Sequence, residues 1–387
     1  MSKYLCFFFL VFLFFFSCKI KTETSETNIE DYYIEEEPER YSLSLVAAGD
    51  NLFHETIINA YRQNGSFDFS PIYTEIKSIA ENADIAFINQ ETVMGGEAFG
   101  YSGYPKFNTP QALAKTIADT GFDIVNQATN HSMDMGREGL YATLDLWEKT
   151  EGITVIGARK TGGSMRVIIK NNISLGFLSY TYGLNGFTLP AKEPNLVSLI
   201  KRNKITEEIK ALRPLCDFLI VSMHWGDEYL LVEPGADQVD LARFLADLDV
   251  DLIIGHHPHV LQRAEILTRS NGKKTLCFYS LGNFVSNQRE KDRILGALMF
   301  VTFTKERLGF QPGKLYISNS GMIPVICHFE INYRNTKVYP LYSYTQELLD
   351  KHLLLQLDKT MDMNYFYSVL TKLGIKMIMH DPFPVSN

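Results

Sequence analysis

The amino-acid sequence predicts an α/β fold in which a largely parallel sheet is covered by helices and a second sheet packs on the first. Six short apolar runs bounded by turn residues are too short for helices and are typical of buried strands. Helical patterns lie between these runs, and such alternation indicates parallel strands with helical crossovers. The stretches 166–180, 294–305 and 314–338 are β-rich and break the alternation, so a second sheet is the simplest account of them.

The helical segments are marked by amphipathic spacing and by their start and stop residues. The predicted helices cover residues 71–81, 110–120, 137–150, 236–248 and 345–376. Pro71 stands at a first-turn position, where its missing N–H costs no hydrogen bond. Gly121 follows the second helix, where a C′ glycine is expected. The stretch 166–180 is expected to form a hairpin that turns at Asn171 and Asn172.

The N-terminus predicts export. Lys3 precedes an almost unbroken apolar run over residues 4–16, which is short for a membrane span and typical of a secretory signal peptide. The small residue Ser17 directly before Cys18 is similar to a bacterial lipoprotein cleavage site. Residues 1–18 are therefore predicted to be a lipoprotein-like signal peptide with Cys18 as the lipidated residue. An uncleaved N-terminal anchor is the alternative, and both place the folded domain outside the cytoplasm, anchored at the cell envelope.

Composition indicates how the remaining chain is organised. Residues 19–41 are rich in Thr, Ser and Glu and are predicted to be a flexible tether. A folded domain is predicted over residues 42–290, with completing strands and a C-terminal helical extension over 291–387. The chain is 45% hydrophobic, which is enough for a sizeable core, and its net charge of −8 argues against a nucleic-acid partner.

Cysteine usage argues against a thiolate zinc site. Three cysteines, Cys216, Cys277 and Cys327, lie beyond the export segment, and the sequence contains no C-x-x-C pattern. Cys216 and Cys277 lie in apolar strand-like runs and are expected in the core. One disulfide among the three would be compatible with an oxidising envelope.

Polar side chains suited to divalent metals follow each of the six predicted strands. In open α/β sheets the active site lies beyond the carboxyl ends of the strands. The loops, in chain order, are Gly49-Asp50, Asn89-Gln90-Glu91, Asn130-His131, His224-Trp225-Gly226, Gly255-His256-His257-Pro258-His259 and Ser280-Leu281-Gly282-Asn283. One such loop would mean little, but six in series indicate a metal-centred hydrolase.

The loop after the fifth strand is the most specific of the six. His257 and His259 are two residues apart, and in an extended segment they would point to the same side. Pro258 stiffens the loop between them, whereas His256 is expected to face the other way and to have a structural role. The other loops have simpler alternatives: Asp50 as a helix cap, Glu91 and Asn283 in turns, Asn130 in a polar turn, and His224 as a core residue.

These motifs resemble the bacterial capsule and poly-γ-glutamate synthesis protein CapA family, a branch of the calcineurin-like metallophosphoesterase superfamily. The resemblance covers about residues 42–286 and includes Asp134-Met135-Gly136 and Phe284. It implies a four-layer α/β/β/α sandwich of the metallophosphoesterase type with a β-rich and helical C-terminal extension. It implies two metals held by Asp50, Glu91, Asn130, His224, His257 and His259. It also implies that His131 is the general acid, with Asp134 orienting or polarising it.

Two positions depart from the superfamily pattern. The first motif usually reads Asp-x-His, whereas this chain has Asp50-Asn51-Leu52, with His54 following as a further candidate. The second motif usually supplies an Asp, whereas this chain has Glu91. His256 and Asn283 are the remaining candidate site residues. Nitrogen and oxygen ligands without thiolate suit manganese, iron or zinc.

The sequence therefore predicts an exported protein with a di-metal hydrolase centre that acts in capsule or poly-γ-glutamate-type polymer synthesis or processing. The expected partners are an envelope polymer or phosphoester substrate, the membrane through a lipid anchor, and polymer synthase or export membrane proteins. Two alternatives stay open. One is a non-catalytic subunit that binds the polymer or assembles its export system, and the other is an envelope nucleotidase or phosphodiesterase.

Overall fold

A computed structural model describes residues 38–161, 165–309 and 313–374. The strands are β1 (Glu39–Asn51), β2 (Arg62–Gln63), β3 (Ser66–Phe67), β4 (Ile85–Gln90), β5 (Ile124–Asn126), β6 (Thr154–Ile156), β7 (Arg166–Lys170), β8 (Ile173–Thr181), β9 (Phe218–His224), β10 (Leu252–His256), β11 (Ala264–Thr268), β12 (Lys274–Phe278), β13 (Asn283–Val285), β14 (Leu295–Arg307), β15 (Lys314–His328) and β16 (Lys337–Pro340). The helices are α1 (Glu55–Ala60), α2 (Lys77–Asn82), α3 (Ala112–Asp119), α4 (Gly136–Lys149), α5 (Arg202–Leu212), α6 (Ala236–Asp247), α7 (Gln346–Lys351), α8 (Leu353–Leu357) and α9 (Met363–Leu373).

The predicted signal peptide lies outside the described residues, as do Cys18 and residues 19–37 of the predicted tether. Strand β1 begins at Glu39, so the last residues assigned to the tether belong to the folded domain. Within the described residues, no helix combines the length and the apolar character needed to cross a membrane.

The first sheet has the strand order β16-β15-β14-β1-β4-β5-β6, and β13 pairs with the end of β1. Strands β1, β4, β5 and β6 run parallel, whereas β14, β15 and β16 add to the sheet in antiparallel fashion. The second sheet has the order β11-β12-β10-β9-β8-β7, with parallel strands in the middle and an antiparallel strand at each edge.

The two sheets pack face to face between helices. Buried residues of both sheets share one core, in which the rings of Phe218 and Phe303 lie 4.7 Å apart. Helices α1, α2 and α3 add apolar side chains to this core, and α5 and α6 cover the other face of the second sheet. The result is the four-layer α/β/β/α arrangement with a β-rich and helical C-terminal region, which confirms the predicted fold class.

The predicted division of strands between the sheets was wrong. The six strands with polar loops were expected in one sheet, but β1, β4 and the strand preceding Asn130 lie in the first sheet, whereas β9, β10 and β12 lie in the second. The C-terminal strands join the first sheet, and the 166–180 hairpin joins the second. Hydrophobic pattern identifies a strand, but its neighbour is chosen by contacts between distant segments, which the pattern does not contain.

The helices predicted over 110–120, 137–150 and 236–248 are present as α3, α4 and α6. The hairpin turns at Asn171 and Asn172, which adopt left-handed φ angles of 51° and 57° as a type I′ turn requires. The helix predicted over 71–81 is instead a short 3₁₀ turn, Ser70–Tyr73, followed by α2. The 345–376 helix is divided into α7, α8 and α9, with breaks at His352 and Asp358. Cys216, Cys277 and Cys327 are free, so the disulfide considered among them does not form.

Candidate metal centre

The candidate metal centre lies where strands of the two sheets end at the same edge of the sandwich. In the first sheet, Asp50 at the end of β1 pairs with Asn89 at the end of β4. Gln90 and Glu91 follow Asn89 directly, so Glu91 lies close to this pair. In the second sheet, His256 pairs with His224 at the ends of parallel strands. The sheets pack face to face, so the polar ends of their parallel strands meet in space.

Short contacts link the predicted ligands into one cluster. Glu91, His257 and His259 each place a ligand atom within 4.8 Å of the other two. Nδ1 of His259 lies 3.2 Å from Oδ2 of Asp50, and its Nε2 lies 3.7 Å from Oε1 of Glu91. Nε2 of His224 lies 3.7 Å from the same Glu91 oxygen and 2.8 Å from Oδ1 of Asn130. The structure therefore brings all six predicted ligands together.

The side chains in this cluster fit divalent metal ions. Glu91 is completely buried, yet neither of its carboxylate oxygens has a hydrogen-bond partner, and Nδ1 of His257 is also unpaired. An unpaired buried charge or polar group is costly, and coordination of a cation is one of the few arrangements that compensates it. The cluster offers carboxylate, amide and imidazole donors and no thiolate, which suits manganese, iron or zinc.

Burial and mutual proximity shift the ionisation of the cluster. Burial raises the pKa of Glu91 well above its ordinary value. Burial lowers the pKa of His257 to about 3 and holds the pKa of His224 well below its usual range. Burial also disfavours a charge on His259, but the adjacent Glu91 and Asp50 carboxylates outweigh it and raise the pKa of His259 to about 9. The cluster thus places neutral imidazoles next to the carboxyl groups of Asp50 and Glu91, and a cation bound among them would favour the deprotonated form of Glu91.

The loop after β10 has an unexpected backbone conformation. The predicted common orientation of His257 and His259 is present, but the segment is not extended, because their φ angles are +97° and +61°. Such angles are unfavourable for non-glycine residues and are concentrated at functional sites. His256 was predicted to face the other way; its ring stacks on Phe87, 5.8 Å away, but its Nδ1 also lies 3.6 Å from Oδ1 of the candidate ligand Asp50, and neither ring nitrogen has a hydrogen-bond partner.

Neighbouring amides hold the candidate ligands in position. Nδ2 of Asn89 donates to Oδ1 of Asp50 at 2.8 Å, and Nδ2 of Asn126 donates to Oδ1 of Asn89 at 2.6 Å. The candidate site residue Asn283 contacts the cluster through its side chain, because its Oδ1 lies 3.0 Å from Nδ1 of His259. Asp50 does not cap a helix, since the N-cap of α1 is His54.

His131 and Asp134 form a pair beside the metal cluster. Nδ1 of His131 lies 2.7 Å from Oδ2 of Asp134. Both residues line a cleft of about 450 Å³ that also reaches Asn130 and His259. His54 lines the same cleft but does not join the cluster: its Nδ1 lies 3.2 Å from the carbonyl oxygen of Leu52. His54 therefore does not take the place of the histidine that the Asp-x-His motif would supply to the cluster.

Sequence reasoning missed residues that follow β8. The ring of Tyr182 lies 4.6 Å from that of His257. Oδ1 of Asn185 accepts a hydrogen bond from Nδ2 of Asn130 at 3.2 Å. Strand β8 runs parallel to β9 and ends at Thr181, so its carboxyl end reaches the same edge. In the sequence, β8 is recognisable only as the second strand of the β7–β8 hairpin. A hairpin strand gives no signal that the loop after it belongs to the site. Glu228 and Tyr229, which follow the His224 loop, were also missed and line the cleft.

Comparison with known proteins adds the following similarities. A family model described as bacterial capsule synthesis protein PGA_cap matches residues 44–288. The PGA biosynthesis protein CapA of Bacillus subtilis is 28% identical over 289 residues, which cover 73% of this chain and 70% of that protein. The capsule biosynthesis protein CapA of Bacillus anthracis is 27% identical over 271 residues, covering 66% and 64%. The solved calcineurin-like phosphoesterase YfkN of Bacillus subtilis is 14% identical, with a TM-score of 0.45, over 86% of this chain and 100% of that chain.

Proposed function

Because the chain belongs to the PGA_cap family of bacterial capsule synthesis proteins, we propose that it is a metal-dependent hydrolase acting on a capsule or poly-γ-glutamate-type envelope polymer. One observation carries this proposal. A completely buried carboxylate without hydrogen-bond partners, Glu91, lies against His257 and His259 at the edge of a cleft that contains the His131–Asp134 pair. Ligands for a Lewis acid and a group that can transfer a proton therefore face the same space.

Asp50, Glu91, Asn130, His224, His257 and His259 would hold the metal, with two divalent ions as the proposed number and manganese, iron or zinc as the proposed elements. When bound, such ions supply Lewis-acid polarisation of a phosphoryl or carbonyl oxygen. Asn89 holds the Asp50 carboxylate through its 2.8 Å hydrogen bond, and Asn283 orients the His259 ring. These contacts keep the donor atoms in place before any ligand arrives.

His131 is proposed to supply the proton that the leaving group needs. In hydrolysis, the oxygen of water forms the new bond to the phosphorus or carbonyl carbon, and the bond to the leaving oxygen or nitrogen breaks. The leaving atom takes a proton from His131, which regains one from the attacking water. Asp134 accepts the Nδ1–H of His131 and thereby leaves Nε2 to act on the substrate.

The proposed location is the cell envelope, with the folded domain outside the cytoplasm, export directed by residues 1–18 and lipid attached at Cys18. The proposed partners follow from this location: the polymer or a phosphoester-bearing substrate, the membrane, and membrane proteins that synthesise or export the polymer. A polymer-processing enzyme needs to stay near the site at which the polymer emerges, and a lipid anchor with a tether provides this.

Metal content and hydrolysis, measured on the same purified protein, test the proposal. We expect close to two divalent ions per chain by elemental analysis, and manganese-dependent hydrolysis of a chromogenic phosphodiester that a chelator abolishes. Glycan phosphodiesters and oligo-γ-glutamate are then assayed for bond cleavage. A protein that holds metal and hydrolyses none of these bonds would instead be a polymer-binding or assembly subunit.

A further inference from the structure

A groove of about 670 Å³ lies beside the cleft of the candidate metal centre and shares two chain segments with it. In the first segment, His54 lines the cleft, and Thr56 at the start of α1 lines the groove. In the second, Gln288 lines the cleft, and Arg289, the next residue, lines the groove. A 2.7 Å hydrogen bond from Nδ2 of Asn287 to Oγ1 of Thr56 joins the two segments. A polymer that extends from the metal cluster past His54 or Gln288 therefore reaches the groove.

The groove is positively charged, although the chain as a whole has a net charge of −8. Arg289 and Arg334 line it, and none of its described lining residues is Asp or Glu. Among the described residues, neither arginine has an ion-pair partner. Two of the acids that flank the groove are paired elsewhere, Glu290 with Arg293 at 2.9 Å and Asp358 with Lys291 at 3.4 Å. Two positive charges are therefore available to an anionic ligand.

The guanidinium of Arg289 is positioned before any ligand binds. Its Nε donates to the hydroxyl of Tyr333 at 2.7 Å, and the guanidinium lies 5.7 Å from the centroid of the Tyr333 ring. Tyr333 is buried and has a left-handed φ of +56°, which is unfavourable for so bulky a residue. Because Nε is occupied, the two terminal nitrogens of Arg289 remain to bind the oxygens of a carboxylate or phosphate.

Apolar side chains of the C-terminal region form another part of the groove wall. Ile331 is 54% exposed, and Leu357 on α8 is 61% exposed, although both side chains are large and hydrophobic. A chain of anionic groups joined by short aliphatic links has the matching surface: its charges suit the arginines, and its methylene groups suit Ile331 and Leu357. The PGA_cap model matches residues 44–288, so these wall residues lie beyond the matched part of the chain.

We propose that this groove binds an acidic polymer outside the metal centre, with Arg289 and Arg334 each holding one of its anionic groups. The inference rests on the proposed function, which supplies the polymer, and it specifies the substrate as a linear polyanion. The required chemistry is a negative charge on each repeat, as in γ-linked polyglutamate or polyglycerol phosphate. Binding in the groove holds one part of the polymer while a bond of another repeat reaches the metal cluster.

Calorimetric titration of the metal-loaded full chain tests the groove, with His131→Ala as the background so that the polymer is not cut. The probes are a γ-linked glutamate decamer, the same decamer with its carboxylates amidated, and a glycerol phosphate decamer. We expect the γ-glutamate decamer to bind, and Arg289→Gln and Arg334→Gln each to weaken it about fivefold, the upper range for an exposed ion pair. Affinity should fall as the salt concentration rises, and less steeply in the double variant, because salt screens these charges.

The matched control is Arg243→Gln, because Arg243 is also exposed but lies on α6, away from the groove. It should leave the affinity unchanged, and elemental analysis of each variant separates loss of metal from loss of the arginine contact. Tighter binding of the glycerol phosphate decamer, with the same dependence on both arginines, would support the groove and identify a phosphodiester polymer. Equal binding of the amidated decamer would overturn the groove, as would binding that neither substitution weakens or the absence of binding by both acidic polymers.

The two proposals fail in different ways. Arginine-dependent polymer binding by a wild-type protein that hydrolyses no bond would remove the hydrolase function and leave the groove. Hydrolysis of a polymer whose affinity is unchanged by both arginine substitutions would leave the hydrolase and remove the groove.

Discussion

Nδ1 of His131 lies 2.7 Å from Oδ2 of Asp134, and this same carboxylate oxygen accepts the backbone N–H of Phe107 at 2.7 Å. The ring of Phe107 also meets the His131 ring edge to face, with centroids 4.6 Å apart. The carboxylate is thus fixed from two sides, and it accepts the Nδ1–H of His131. The second ring nitrogen is left for chemistry in the cleft.

We expect His131→Ala to lower hydrolysis by about 10²–10⁴-fold, the usual value of general acid catalysis, with little change in metal content. The substitution removes a proton donor and none of the six candidate ligands. Steady-state rates and elemental analysis on the same preparation measure both quantities. Metal loss in proportion to the loss of rate would identify His131 as a ligand instead.

Removal of a candidate ligand should abolish the stabilisation that metal provides. A ligand at 100 times its Kd stabilises a folded protein by about 2.7 kcal/mol. The Tm of the wild-type protein should therefore fall when a chelator is added, whereas His257→Ala and His259→Ala should give the same Tm with and without it. His256→Ala is the matched control, because His256 is buried beside Asp50 but stacks on Phe87. If His256→Ala also loses the chelator response, His256 is a ligand.

Metal affinity should rise with pH. In the metal-free protein the Glu91 and Asp50 carboxylates outweigh burial and raise the pKa of His259 to about 9, so His259 is protonated near neutral pH. Its raised pKa stabilises the metal-free fold below about pH 6.5, and this stabilisation is lost as the pH rises through about 9. A metal must displace the proton, so affinity should increase about tenfold per pH unit for each proton released over this range. Manganese titrations at several pH values measure the slope, and a flat profile would contradict the shift.

Glycine is required where β10 ends. A Cβ on Gly255 would lie 1.9 Å from the backbone carbonyl oxygen of Tyr279, so Gly255→Ala must displace the neighbouring chain at the site. We expect the free energy of unfolding to fall by ~1–3 kcal/mol, as for other overpacked positions. The control is Gly183→Ala, because a Cβ there meets no atom within 4 Å; its effect should stay within ~0.5 kcal/mol. Urea denaturation compares the two variants. Equal midpoints would show that the chain around the end of β10 accommodates the added Cβ without loss of stability.

Cys18→Ala should prevent lipid attachment, because Cys18 is the residue predicted to be acylated after Ser17. A single acyl chain binds membranes only marginally, so the processed wild-type protein should carry more than one. Mass spectrometry of the mature N-terminus and membrane fractionation give the answer. An intact Met1 in mature wild-type material would point to an uncleaved anchor.

Some of the site could be predicted from sequence because a buried strand and the polar residue at its end are local features. Asp50, Glu91, Asn130, His224, His257 and His259 were all predicted on these grounds or by resemblance, and the structure brings them together. Their roles as ligands stay predictions until metal is measured. The hairpin at Asn171 and Asn172 was equally accessible, since turn residues act on their own backbone.

The tertiary structure decided what depends on distant segments. Six strands divide between two sheets because pairing is set by contacts across the fold, which no hydrophobic pattern records. The common facing of His257 and His259 was predicted for the wrong reason: left-handed backbone angles, imposed by the packed loop, orient the rings. Tyr182 and Asn185 belong to the site because β8 lies parallel to β9, although the sequence alone presents β8 only as half of a hairpin. Sequence therefore determined which residues stand at strand ends, and the pairing and packing of the strands determined which of those ends meet.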